Sequence, residues 1–237
     1  MKLYILLVAV LLLPIRFGAA HAQTTPTLPY HELPSDRLGE FGSTATWAIL
    51  AAGAVGALYA YEEEDPVATK RALEDSPLDG FLETGNAYGS GWGVGGLGVA
   101  TLSYGVLAGD QRARHIGGDL VVSFVATTAI VGGLKHAIDR KRPNGGAYSF
   151  PSGHTAGAFS SVPVIWNHLG AEAGVSFSVL ATMTGLARME ENKHFLSDVV
   201  AGAALGIVVG RVISARQTDS GWRCGAGPSG VTLSHAF

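Results

Sequence analysis

Six stretches of the chain, 43–61, 89–108, 116–138, 154–169, 174–187 and 195–213, are dominated by apolar residues and separated by short polar breaks. Each is long enough for a helix, and none alternates apolar and polar residues at every second position as a half-buried strand does. The breaks are explicit: Glu62-Glu63-Glu64-Asp65-Pro66, then residues 110–115, then residues 140–149. No fixed-period repeat is visible. The pattern predicts an all-α protein, a bundle of about six helices.

The two ends of the chain follow other rules. Behind Lys2, residues 3–13 form an unbroken apolar run, and Ala20-His21-Ala22 has the small-x-small pattern that signal peptidase reads. The expectation is a signal peptide over 1–22, removed to leave Gln23 first; an uncleaved anchor is the alternative. The run is short for an ordinary membrane-spanning helix. Residues 23–41, with Pro26, Pro29 and Pro34, read as an extended leader, 42–216 as the helical domain and 217–237 as a carboxy-terminal extension. Residues 230–237 alternate like one strand, but the repeated alternating segments that a barrel requires are missing.

Composition sharpens the picture without naming a function. Charged residues make up 15% of the 237, against about 25% in average soluble domains, and there are 33 glycines. With 47% hydrophobic residues, intrinsic disorder is excluded. A net charge of -3 argues against a nucleic-acid partner, because no basic excess exists to displace counterions from phosphates. Cys224 is alone, so no internal disulfide can form. The mean hydropathy of +0.27 is high for a soluble enzyme and low for a multi-span transporter. Small residues, as in the Gly-rich 91–98, allow close helix approach in lipid and in tight soluble bundles alike. Hydropathy alone therefore leaves membrane association open.

Three clusters carry chemistry. The first runs from Lys135 to Arg142 and Pro143; seven residues make nearly two turns, so both cations share one face if the helix continues that far. Such a pair suits a multiply charged anion, and equally suits a helix carboxy terminus. The second is Pro151-Ser152-Gly153-His154, which reads as a helix entrance whose free N–H groups and hydroxyl can cradle an anion, with a histidine beside it for proton transfer. The third holds Arg188, His194 and Asp198; a spacing of four places carboxylate against imidazole on a helix, fixing one ring nitrogen and freeing the other. No Ser or Cys nucleophile is suggested nearby, which makes the histidine itself the candidate nucleophile.

In order and composition the three clusters resemble the signature of the type-2 phosphatidic acid phosphatase and vanadium haloperoxidase superfamily: Lys-x6-Arg-Pro, then Pro-Ser-Gly-His, then Ser-Arg-x5-His-x3-Asp. The resemblance covers roughly residues 116–213 and departs at Ala187, where the motif has serine, and in the short spacing between Pro143 and Pro151. It implies an all-α fold with the active site at one end. It also implies a phosphatase in which His194 takes the phosphoryl group, Asp198 orients it, and His154 protonates the leaving oxygen and then activates water. Lys135, Arg142, Arg188 and the Ser152–Gly153 region would hold the phosphate oxygens. Three cations can stabilise the transferred phosphoryl group without a metal or other cofactor.

Segmentation agrees with this grouping. The first cluster closes the third apolar stretch, the second opens the fourth, and the third joins the fifth to the sixth, so an up-and-down bundle collects all of them at one end. The expected partner is a phosphorylated lipid or a small phosphate ester, in the periplasm or cell envelope, with an integral membrane protein as the alternative. A vanadate-dependent haloperoxidase and a non-catalytic envelope protein with a decayed site are the other functional readings.

Overall fold

The computed structural model describes residues 39–215, 221–227 and 230–236. The expected signal peptide and nearly all of the expected leader lie outside the described residues. Eight α-helices follow one another: α1 (Thr44–Glu63), α2 (Pro66–Glu74), α3 (Asp79–Gly89), α4 (Gly96–Leu107), α5 (Gln111–Ile138), α6 (Gly153–Leu169), α7 (Ala171–Glu190) and α8 (Leu196–Ser214). The all-α expectation is met, and the six apolar stretches account for the long passages of the bundle. A π-helical turn, Gly91–Gly95, joins α3 to α4. Beyond the bundle, β1 (Gly221–Gly227) pairs antiparallel with β2 (Gly230–Ala236), where one alternating strand had been expected.

The two additional helices, α2 and α3, lie between the first two apolar stretches, behind the acidic break at 62–66. Asp65 ends the extended turn after α1 and also starts α2, accepting the N–H groups of Val67 and Ala68, each at 3.0 Å. Pro66 occupies the first turn, where a missing N–H costs nothing. Asp110 likewise caps α5 through the N–H of Ala113, so residues 111–115 are its first turn rather than a break.

Helix α8 is the hub, packing on α1, α5 and α6. Its contact with α6 runs along glycines spaced one turn apart. A Cβ at Gly202 would stand 2.6 Å from the Ser152 carbonyl oxygen, one at Gly206 2.2 Å from that of Ala156, and one at Gly210 2.1 Å from that of Ser160. The two helices are thus parallel and in backbone contact, and both begin at the same end of the bundle. Helix α1 runs opposite to α8: Arg211 near the end of α8 pairs with Glu40 at 2.8 Å and donates to Ser43 and Thr46 at 3.0 Å. At the other end, Ser197 in the first turn of α8 donates to Glu64, just past α1, at 2.7 Å.

Large apolar side chains also point outward. Trp47, Val55 and Leu58 on α1, Val99, Tyr104 and Leu107 on α4, Val125 and Ile130 on α5, and Val175 and Val179 on α7 are exposed. Isolated exposed apolar residues are normal, but rows of them on neighbouring helices mark a surface meant for a non-aqueous contact. Helices α1, α5 and α8 are long and apolar enough to cross a membrane. Both features support association with a membrane.

Candidate active site

The site is built where α5 stops and α6 and α8 start. Helix α5 ends at Ile138 because Asp139 turns into the left-handed region, φ 44°, while its N–H still reaches the Lys135 carbonyl at 2.9 Å. Lys135 and Arg142 therefore do not share a helix face across two turns, as the spacing suggested. The loop brings them together instead. Arg142 and Gly146 close a tight turn, N–H to carbonyl at 2.7 Å, and Gly145 returns its N–H to Arg142 at 3.0 Å with φ 85°, a conformation natural to glycine. Arg142 Nε donates to the Ala147 carbonyl at 2.9 Å, and Lys135 Nζ donates to Tyr148 at 2.5 Å and Ser149 at 3.3 Å.

Ser152 caps α6. Its hydroxyl is fully buried, shares a hydrogen bond with Thr155 Oγ1 at 2.8 Å, and accepts the Thr155 N–H at 3.5 Å. Its own N–H donates to the Asp198 carbonyl at 3.0 Å, tying the start of α6 to α8. What α6 offers an anion is thus its first N–H groups, at Gly153 and His154, more than the Ser152 hydroxyl. Gly153 lies beside the Lys135 stem, where a Cβ would stand 3.8 Å from Cε.

His194 sits in the turn before α8, and Asp198 lies in its first turn. The spacing of four works through this turn, not along a helix. Asp198 is fully buried, and Oδ2 accepts the Phe195 N–H at 3.0 Å and the Ser149 hydroxyl. Nδ1 of His194 faces the same oxygen at 3.4 Å, an ion-pair distance, and has no hydrogen-bond partner among the described residues. Such contacts in unliganded sites tighten when substrate binds. Oδ1 of Asp198 accepts from Arg140 at 2.8 Å.

Arg188, near the end of α7, is buried; its two terminal nitrogens are held by Asn86 and Glu191, and Asn86 Nδ2 donates to Glu191 at 2.6 Å. Its Nε is buried and has no partner among the described residues.

The charges act on one another, which places the sequence-identified residues in one electrostatic field. Partial burial, then Arg188 and His194, pull His154 down to about 4; Glu191 opposes them and Arg142 adds to them. Burial also lowers His194, where the Asp198 carboxylate opposes the fall and Lys135 and Arg142 add to it. Both imidazoles are therefore neutral near pH 7. Lys135, Arg142, Gly153, His154, Arg188, His194 and Asp198 come together at one end of the bundle, as their order along the chain implied. Glu64, Asn86, Arg140, Ser149, Ser197 and Glu191 join them without having been singled out. Among the described residues no group of three or more His, Cys, Asp or Glu side chains is placed to hold a metal ion.

Comparison with known proteins finds similarity over the stretch that carries most of these residues. Residues 117–222 match the model of the PAP2 superfamily. A 103-residue stretch is 38% identical to a lipid A 1-phosphatase of Porphyromonas gingivalis, covering 40% of this chain and 23% of that protein. A 117-residue stretch is 24% identical to a lipid A 4'-phosphatase of Helicobacter pylori, covering 44% of this chain and 59% of the relative. The chain thus spans under two thirds of both curated relatives. Two crystal structures share the fold. Aquifex aeolicus LpxE has a TM-score of 0.51 at 24% identity, over 62% of this chain and 93% of that one. The transmembrane PAP2 type phosphatidylglycerolphosphate phosphatase of Bacillus subtilis has a TM-score of 0.54 at 20% identity, over 75% and 93%.

Proposed function

We propose that this chain, which carries a PAP2 superfamily domain over residues 117–222, is a membrane-associated phosphatase that releases inorganic phosphate from phosphorylated lipids. The observation that carries the proposal is the convergence of two histidines, one backed by a buried carboxylate, with three cations around the start of α6. Asp198 holds the Nδ1–H of His194, which leaves Nε2 unprotonated to attack phosphorus in line with the leaving oxygen. The bound phosphate offsets the charges of Arg188 and Arg142 and so favours protonated His154, whose proton passes to the leaving oxygen as its bond to phosphorus breaks. His154 then takes a proton from the water that hydrolyses the phosphohistidine. Lys135, Arg142 and Arg188, with the N–H groups of Gly153 and His154, spread the charge of the equatorial oxygens. Ser152 contributes by capping α6 and so fixing those N–H groups.

A lipid substrate is supported by the apolar rows on α1, α4, α5 and α7, and by relatives named for lipid A phosphate groups. Segment 1–22 would deliver the chain to the cell envelope, with the helical domain over 42–216. The test is phosphate release by the purified full chain from phosphatidate, lipid A and p-nitrophenyl phosphate, with and without EDTA. The expected results are turnover of a lipid phosphate, no loss with EDTA, loss of activity in His194→Ala, and an acid-labile phosphoprotein trapped during turnover. Full activity in His194→Ala would overturn the mechanism.

A further inference from the structure

Behind the His194–Asp198 pair lies a second layer of charge. The guanidinium of Arg140 reaches Asp198 Oδ1 at 2.8 Å and the Ser197 hydroxyl at 2.7 Å with one nitrogen, and pairs with Glu64 through the other. Glu64 in turn accepts from Ser197 at 2.7 Å, which closes the ring. The guanidinium centre lies 4.1 Å from the Phe195 ring centroid and 5.0 Å from that of Tyr61. Arg140 side chain is 18% exposed, Glu64 10% and Asp198 0%. Two nearly buried carboxylates thus share one cation, each on its own terminal nitrogen, and two aromatic rings lie against it.

We propose that Arg140, braced by Glu64, is a positioning residue that fixes the Asp198 carboxylate behind His194. The two oxygens of Asp198 are divided: Oδ2 accepts from Ser149 and Phe195 and faces the imidazole, while Oδ1 accepts from Arg140. Without Arg140 the carboxylate keeps the partners of Oδ2 but loses the anchor on Oδ1, and Glu64 and Asp198 repel across the gap. A planar fork suits this task, because it engages two acceptors at once in fixed directions. Glu64 lies outside the stretch matched by the family model, so the segment just past α1 supports the site from beyond the matched residues 117–222. The catalytic readout of the clamp rests on the phosphatase proposal; its structural readout does not.

The experiment uses the full chain in detergent, as wild type, Arg140→Gln, Arg140→Lys, Glu64→Gln, Asp198→Asn and the double variant Arg140→Gln/Asp198→Asn. Arg140→Gln is expected to lower kcat about tenfold or more with KM changed less than about twofold, since the loss falls on the chemical step. Arg140→Lys should recover part of that loss, and Glu64→Gln should show a smaller loss of the same kind. The double variant should be no slower than Asp198→Asn, because residues acting as one unit do not lose activity additively. Nitrogen-15 NMR of the His194 ring should report the Nδ1–H tautomer in wild type and a growing Nε2–H share in Arg140→Gln. Unchanged kcat in Arg140→Gln, or losses that multiply in the double variant, would overturn the clamp. If the wild type hydrolyses no phosphate ester, the phosphatase proposal fails, and the tautomer decides the clamp alone: a shift supports it and an unaltered ring overturns it.

Discussion

Gly206 of α8 lies so close to Ala156 of α6 that a Cβ on it would stand 2.2 Å from the Ala156 carbonyl oxygen and 2.9 Å from the Ser160 nitrogen. Both neighbours are backbone, so neither can swing aside. Gly206→Ala must push the two helices apart or bend one of them, and overpacking of this kind costs about 1–3 kcal/mol. The displacement also moves His154, at the head of α6, relative to Asp198, at the head of α8. The expected outcome is a lower unfolding midpoint in detergent together with reduced kcat. Wild-type stability in Gly206→Ala would show that the helices separate freely.

Arg188→Lys tests what the Asn86–Glu191 bracket is for. Each terminal nitrogen of Arg188 gives one N–H to Asn86 or Glu191, which leaves the unpartnered Nε–H and one N–H on each terminal nitrogen as donors for a phosphate oxygen. A lysine keeps the charge but cannot serve two acceptors and a third oxygen in one plane. The expected loss in kcat is about 100-fold, the scale seen when one donor to developing charge is removed. A kcat within a few-fold of wild type would mean that charge alone suffices at this position.

Much of this site was legible before the fold was. Lys135, Arg142, His154, Arg188, His194 and Asp198 stand in three short clusters, and alternating helices bring the clusters to one end. The local geometry was less legible. Asp139 stops α5 early, so Lys135 and Arg142 meet across a loop, and a periodicity argument has no access to that turn. Arg140 sat inside the first cluster, yet its partners Glu64 and Asp198 are 76 and 58 residues away in sequence. Asn86 and Arg188 are 102 apart. Glu64 looked like one more charge in an acidic break, since pairing at such separations is set by how α1, α3 and α7 pack and not by spacing. The Asp65–Pro66 start of α2 did carry a signal, because Asp before Pro is also a helix entrance.

The apolar rows on α1, α4, α5 and α7 predict behaviour on membranes. After expression in a bacterial host, the chain is expected to remain in the membrane pellet through an alkaline carbonate wash and to need detergent for release. Trp47 and Trp92 are 62% and 92% exposed, and their fluorescence should be quenched by brominated acyl chains after reconstitution into vesicles. Recovery in the wash, with no quenching, would remove the lipid-facing role of these rows.

The depressed His154 makes a prediction about acid. Its ordinary value is near 6.5 in an unfolded chain, and partial burial with Arg188, His194 and Arg142 brings it to about 4 in the fold. Between those limits the unfolded chain binds a proton that the native protein refuses, so stability falls as pH drops from about 6.5 towards 4 and is fully present above. His194, lowered in the same direction, adds to the slope. The unfolding midpoint of His154→Gln should therefore decline less steeply than that of wild type between pH 7 and 5. A phosphate dianion at the site offsets the charges of Arg188 and Arg142 and so favours protonated His154, the form that the first half of the reaction requires. NMR titration with inorganic phosphate present should place the His154 transition higher than without it. An identical transition in both conditions would separate His154 from the anion site and end its role as the proton donor.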